Sequence, residues 1–354
     1  MSTDHVDPVL STLLLPLATG QLALPQSGGA LFLRARAGAL LREVAGPDLV
    51  CEQSYKPAAD ALLRQGWALR RAEEADTARF ALVLVLPPRQ RQEARALLAR
   101  AVESCAPGGT VVACVANDDG AKSGESDLKA LAGLTGTQSK NHCRVYWSTV
   151  NAATCDAALL AAWREGDVPQ PILDGRFVSR PGVFAWDRID PASALLAGHL
   201  PSTLMGSAAD LGCGYGYLSV ELLQRCPGIT SLDLYEAEGR ALDLARHNMK
   251  SFAGRAALNF EWHDVTISLP RRYDVILTNP PFHAQGSMDR PDIGRAFIVA
   301  AAEALIPGGR LWLVANRHLP YESVLDARFG TVRIVTQAQG FKIIEAVKAG
   351  GARR

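Results

Sequence analysis

The sequence predicts an α/β protein of two tandem domains, each a mostly parallel sheet with helices on both faces. Three observations carry that reading. The chain has 354 residues, where one domain takes roughly 100–200. Hydrophobic residues make up 48% of it, enough for packed cores and too many for a disordered chain. One pattern occurs twice: an apolar strand, a Pro-Pro pair, an amphipathic helix, a Pro-Gly-Gly turn and a second apolar strand, at 80–117 and again at 273–316.

The elements follow in the same order in both halves. ALFLRARAGALL (30–41) and LVCEQSYKPAADALLRQG (49–66) read as two βα pieces, as do SAADLGCGYGYLSVELLQR (207–225) and SLDLYEAEGRALDLARHN (231–248). Then come FALVLVLPP with ARALLARAVESCAPGGTVVACVAN, and YDVILTNPPF with RAFIVAAAEALIPGGRLWLVAN. Glu103 and Glu303 hold the same place relative to the Pro-Gly-Gly turns, where glycine supplies the positive φ that returns the chain into a buried strand. Pro88 and Pro107 are 19 residues apart, and Pro281 and Pro307 are 26 apart, so the second copy carries seven more residues around FHAQGSM. Extra length at a strand-to-helix loop is where α/β proteins build sites. The expected divisions are a first domain at 1–165, a Pro-, Gly- and Asp-rich linker at 166–180, a second domain at 181–348 and a flexible tail at 349–354.

Charge and cysteine usage narrow the class. Lys and Arg number 37 against 36 Asp and Glu, which excludes a strongly basic nucleic-acid tail but not a local basic groove. The apolar runs, such as Leu13–Leu15 and Phe80–Leu86, are core-sized and too short to cross a bilayer. The N-terminal MSTDHVD is acidic and unlike a signal peptide. Seven widely spaced cysteines without a C-x-x-C pair fit reduced thiols in a cytoplasmic protein. The histidines show no ligand spacing, so no metal is expected.

The chemistry lies in the second half. Asp210-Leu211-Gly212-Cys213-Gly214-Tyr215-Gly216 follows a strand and opens a helix. Its glycines let the backbone approach a ligand, and the helix offers N–H groups and a positive dipole end. A dinucleotide fingerprint needs G-x-G-x-x-G, and Tyr217 stands where its third glycine belongs. G-x-G-x-G after an acid resembles the first motif of S-adenosylmethionine (SAM)-dependent methyltransferases. Glu236, at the tip of the next strand, is placed to accept both ribose hydroxyls of a nucleoside; the alternative is a plain helix N-terminal carboxylate. Asp264 follows the third strand; the resemblance to those methyltransferases implies an adenine contact there, and the alternative is a loop cap.

Asn279-Pro280-Pro281-Phe282 ends the strand YDVILT. Methylating an exocyclic amine requires its delocalised lone pair to point at the methyl group. The Asn279 side-chain carbonyl and the Pro280 backbone carbonyl are suited to take the amine hydrogens and orient it. Proline stiffens the loop, and Phe282 offers a face for a planar base. No strong base is needed beforehand, because the product ammonium can lose its proton afterwards. The first half reads Leu86-Pro87-Pro88-Arg89 at this place and has one glycine in RARAGALL, so it is a degenerate copy.

On these motifs the chain resembles the bacterial ribosomal RNA guanine-N2 methyltransferases of the small-subunit type and their large-subunit relatives. PGVFAWDRIDPASALL (181–196), DLGCGYG (210–216), NPPFHAQG (279–286), VANRHLPYESVL (314–325) and GFKIIEA (340–346) carry the resemblance. It implies two tandem Rossmann-like class I methyltransferase domains, the first catalytically dead and used for substrate binding or support. It implies SAM as cofactor, held by Asp210, Gly212, Gly214, Gly216, Glu236 and Asp264. It implies that Asn279, Pro280, Pro281 and Phe282 hold the guanine, with Phe184 and His283 beside it. The family's second strand commonly ends in Asp where this chain has Glu236, and small-subunit members often read Asp-Gly where this chain has Asp190-Pro191-Ala192-Ser193.

Ribosomal RNA or a ribosomal subunit is the expected partner, with no membrane and with the chain acting as a monomer. Arg70-Arg71, Arg89, Arg91, Arg95, Arg100, Arg271-Arg272 and Arg317 are available for phosphates. Taken singly, each reads as part of a solvated face. The competing function is methyl transfer to another amide or amine, such as a release-factor glutamine or adenine N6; Phe282 would pack a glutamine amide equally well. The duplicated layout and the HLPY segment argue against it.

Overall fold

The computed structural model describes residues 7–46, 48–70, 78–281 and 291–350. The chain divides into two compact units, Met1–Val168 with Arg180–Gly182, and Pro169–Ser179 with Val183–Arg354.

In the first unit Asp7 accepts the N–H groups of Val9 and Leu10, and Pro8 supplies a preset φ, so α1 (Pro8–Ala18) starts there. Then follow β1 (Ala30–Leu33), α2 (Ala39–Val44), β2 (Leu49–Glu52), α3 (Lys56–Arg64), β3 (Ala68–Arg70), β4 (Phe80–Val85), α4 (Arg91–Ser104), β5 (Cys105–Ala116), α5 (Ala121–Ala132), β6 (Gly136–Lys140), β7 (Cys143–Thr149) and α6 (Ala157–Glu165). The sheet order is β3-β2-β1-β4-β5-β7-β6. All pairs are parallel except those of β7 with β5 and β6. The near-continuous apolar runs of β1 and β4 are buried on both faces, as a helix-covered parallel sheet requires.

The second unit begins with a short ribbon, β8 (Gln170–Ile172) and β9 (Phe177–Ser179), whose Ile172 and Phe177 join its core. It continues as α7 (Pro191–His199), β10 (Met205–Leu211), α8 (Tyr217–Arg225), β11 (Gly228–Glu236), α9 (Gly239–Asn248), β12 (Ala257–Trp262), β13 (Tyr273–Thr278), α10 (Pro291–Ala304), β14 (Leu305–Asn316), α11 (Glu322–Arg328), β15 (Thr331–Ala338) and β16 (Phe341–Val347). Its order, β12-β11-β10-β13-β14-β16-β15, is the first sheet's order repeated. Helices lie against both faces: Leu222, Leu244 and Leu196 in one core cluster, Phe297, Ile298 and Ala301 in the other. The fold class is that expected from the sequence.

The duplication extends to single hydrogen bonds. Gly108 and Gly308 have φ of +80° and +82°. Their N–H groups donate to the carbonyls of Val150 and Lys348 at 2.8 and 3.0 Å. A Cβ on Gly109 would lie 2.8 Å from the Ala81 carbonyl oxygen, and one on Gly309 would lie 3.0 Å from that of Tyr273. The Pro-Gly-Gly turn is thus a register shift within β5 and β14 rather than a loop before them. Of the expected tail, 351–354 lies outside the described residues.

Candidate active site

Both sheets reverse their order between the first strand and the fourth, here β10 and β13. Chains leaving the carboxyl ends of such strands diverge and leave a crevice. Leu211 and Thr278 pair as the last residues of the two strands. The Thr278 hydroxyl donates to the Leu211 carbonyl at 2.9 Å. The glycine loop and the Asn-Pro-Pro loop therefore start from one fixed point.

The N–H groups of Gly212 and Cys213 both donate to the Tyr235 carbonyl, at 2.9 and 3.1 Å. Gly212, Gly214 and Gly216 have φ of +73°, +56° and +94°, the region where a side chain is strained. A Cβ on Gly214 would meet nothing within 4 Å among the described residues. Gly216 caps α8.

Two acids stand under this loop. Glu236 accepts the Gly214 N–H at 2.8 Å with one oxygen and the Glu238 N–H at 2.9 Å with the other. Each oxygen keeps a further lone pair. Burial raises its pKa, against the pull of those two N–H groups. Asp210 is fully buried. One oxygen accepts the Ser219 hydroxyl at 2.7 Å, and the other has no partner among the described residues. Burial pushes its pKa up to about 7. Asp264 follows β12 beside Glu236, since the His263 N–H donates to the Glu236 carbonyl at 3.0 Å. Its carboxylate closes its own turn by accepting the Thr266 N–H and hydroxyl, at 2.9 and 2.6 Å.

Across the crevice, the Asn279 side-chain NH2 donates to Asp190 Oδ2 and Ser193 Oγ, both at 2.9 Å. Asn279 Oδ1 is enclosed and has no partner among the described residues. Pro280 is buried and Pro281 exposed. Phe282 and His283 lie outside the described residues. Phe184 is 59% exposed, in a segment tied to the glycine loop by the Tyr215 hydroxyl donating to the Arg188 carbonyl at 3.1 Å.

The first unit shows what the site loses. Arg34 holds the turn after β1 at φ +53°, where the second unit has Gly212. Arg36, in the place of Gly214, pairs with Asp7 at 3.0 Å. Gln53 replaces Glu236: its amide donates to the Ala35 carbonyl at 2.8 Å and accepts the Tyr55 N–H at 2.9 Å. Leu86, buried, replaces Asn279.

Most of the arginines offered to phosphates are engaged within the fold. Arg70 and Arg100 pair with buried Glu52, Arg91 and Arg95 with buried Asp127, and Arg271 with buried Asp233. Arg272 donates to the Glu303 carbonyl. Arg89 lies 3.8 Å from Asp119 and is largely exposed, and Arg317 is exposed. Arg71 lies outside the described residues.

Sequence reasoning missed Asp190, Ser193, Thr278 and Ser219. Asp190-Pro191 signals a helix start, but nothing local says that the same carboxylate reaches Asn279, 89 residues on.

Known proteins resemble the chain along most of its length. The family model described as "Methyltransferase small domain" matches residues 174–345. The ribosomal RNA small subunit methyltransferase C of Pseudomonas aeruginosa (strain UCBPP-PA14) is 30% identical over 303 residues, covering 80% of this chain and 88% of that protein. The protein of that name from Yersinia enterocolitica is 32% identical over 265 residues, covering 73% and 72%. A solved structure of the T. thermophilus 16S rRNA N2 G1207 methyltransferase (RsmC), in complex with AdoMet and guanosine, superposes with a TM-score of 0.78 at 24% identity, covering 98% of this chain and 93% of that one. At that identity the structural match speaks to the fold.

Proposed function

The chain belongs to the ribosomal RNA small subunit methyltransferase C family, and from that membership we propose that it transfers a methyl group from SAM to the N2 amine of a guanine in 16S ribosomal RNA. The observation that carries the reading is Asn279 Oδ1, an enclosed acceptor without a partner among the described residues, at the sheet reversal beside the glycine loop.

The residues present fit SAM. Among the described residues nothing crowds the Gly214 backbone, Glu236 keeps lone pairs for ribose hydroxyls, and buried Asp210 has a spare oxygen for a cationic amino group. Bound there, SAM supplies the electrophilic methyl. Asn279 Oδ1 accepts an N–H of the guanine amine and turns its nitrogen toward that methyl, and the Pro280 carbonyl is the second acceptor. Orientation of this kind lowers a barrier by removing rotational freedom before reaction. Phe282 stacks on the base, Phe184 and His283 line its pocket, and Asp264 sits by the adenine. The methylated amine sheds its proton to water. The first unit, with Gln53, Arg36 and Leu86 in the equivalent places, supports the active unit or binds RNA. The protein acts as a cytoplasmic monomer on the ribosomal subunit.

The test is methyl transfer from labelled SAM to separated small and large ribosomal subunits that lack the modification, followed by nucleoside digestion. Label in N2-methylguanosine of the small subunit is expected. Label only in N6-methyladenosine, or in a glutamine of an added release factor, replaces the reading with the competing one.

A further inference from the structure

We propose that Asp190, with Ser193, is a positioning residue that fixes which end of the Asn279 amide meets the acceptor amine; this rests on the acceptor role given to Asn279 above. An amide has two ends of nearly equal shape, and only the oxygen can accept an amine hydrogen. An inverted Asn279 would present N–H to N–H and repel the substrate.

The orientation is set from behind. Asp190 Oδ2 is an acceptor, already taking the Ser193 N–H, so it takes the NH2 end of the amide. The Asn279 NH2 has two hydrogens, and two acceptors stand at 2.9 Å from its nitrogen, Asp190 Oδ2 and Ser193 Oγ. With both hydrogens taken, Oδ1 faces the other way, where it is enclosed and without a partner among the described residues.

Asp190 is itself held rigidly. It is the N-cap of α7, and its Oδ2 also accepts the Ser193 N–H at 2.8 Å. Pro191 presets the first helical turn. Ala192, Leu196 and Ala197 anchor α7 in the core. A sheet-packed helix thus orients the loop amide.

The first unit separates capping from positioning. Its α1 precedes β1 as α7 precedes β10, and it opens Asp7-Pro8-Val9-Leu10 where α7 opens Asp190-Pro191-Ala192-Ser193. Asp7 caps α1 in the same way. Where Asn279 has become Leu86, Ser193 has become Leu10, and the spare oxygen of Asp7 turns to Arg36. The Asp-Pro cap survives without the asparagine, while the serine does not.

The experiment compares Asp190→Ser, Asp190→Asn, Ser193→Ala and Asn279→Ala in the full chain. The probes are single-turnover methyl transfer at saturating SAM to small subunits lacking the modification, and calorimetric SAM affinity. Serine caps a helix as well as aspartate but is one bond too short to reach Asn279. Asparagine can cap and also reach. We expect Asp190→Ser to slow transfer on the order of 10²-fold with SAM affinity within about threefold of wild type. Asp190→Asn should recover most of that rate, and Ser193→Ala should fall between. An Asp190→Ser rate equal to wild type, with Asn279→Ala inactive, overturns this proposal alone. A wild-type rate in Asn279→Ala overturns the acceptor reading and this proposal with it. Should the wild type label a glutamine or an adenine instead, the same variants compared on that acceptor decide the proposal separately.

Discussion

The Thr278 hydroxyl donates to the Leu211 carbonyl at 2.9 Å, joining the last residues of β13 and β10 where the sheet reverses. The bond is fully buried, so water cannot replace it. Thr278→Val keeps the shape and removes the hydroxyl's bond to the Leu211 carbonyl. We expect a loss of about 0.5–1.5 kcal/mol in denaturant unfolding and a slower transfer step, because the two loops no longer share a fixed origin. Wild-type stability and rate in Thr278→Val would show that the strands alone fix the loops.

Gly214→Ala separates binding from folding. Among the described residues a Cβ there meets nothing within 4 Å, which leaves the φ of +56° as the penalty, worth about 1–2 kcal/mol for an L-residue. The new methyl would fill the space above the loop, so SAM affinity should fall by far more than stability does. Gly216→Ala should do more harm to the fold: at φ +94° its Cβ would also press on Ala245 at 3.4 Å. Unchanged SAM affinity in Gly214→Ala, measured by calorimetry, would place the cofactor elsewhere.

What the sequence could and could not disclose follows from where the information lies. The duplicated sheets were legible because Pro107-Gly108-Gly109 and Pro307-Gly308-Gly309 are local necessities: a positive φ, then a residue with no room for Cβ. The glycine loop and Asn279 were legible because backbone approach and amine orientation restrict residue type within a few positions. The grip of Asp190 on Asn279 spans 89 residues, and the burial of Glu52 between Arg70 and Arg100 depends on β2 meeting α4. Such pairings are created by topology. A cluster of arginines in sequence therefore resembled a phosphate surface, while the fold spends most of them on its own buried acids. Gln53 was silent for the same reason, since only the strand register places it opposite Glu236 in the repeat.

Glu236 should prove specific in its charge. Its two oxygens accept from Gly214 and Glu238 at 2.8 and 2.9 Å. A glutamine must turn an N–H toward one of those donors. The first unit shows the alternative such a side chain adopts, with the Gln53 amide donating to the Ala35 carbonyl. Glu236→Gln should weaken SAM binding by about 10- to 100-fold, the scale of one charged hydrogen bond, with the thermal midpoint little changed. Equal affinities would remove Glu236 from the cofactor site.

Asp210 makes cofactor binding and stability depend on pH in opposite ways. In the folded protein its pKa stands at about 7 instead of 3.8 because the carboxyl is buried. Between these values the folded state holds a proton that the unfolded chain has released. Stability therefore falls as pH rises from about 4 through about 7, by an upper figure of about 4 kcal/mol. Asp210→Asn does not titrate, so its stability should match wild type only below about pH 4, where both states of the wild type hold the proton, and exceed it increasingly from there to about pH 8. A cationic amino group beside the spare oxygen favours the ionised form and lowers this pKa, so SAM binding should release a proton. Affinity should rise about tenfold from pH 6 to pH 8 through this group. Asp210→Asn removes that limb while retaining any titration of SAM itself, so the difference between the two profiles isolates Asp210. Parallel profiles of affinity and of stability would mean that the buried carboxyl stays ionised throughout, and that Ser219 and its surroundings solvate it without a proton.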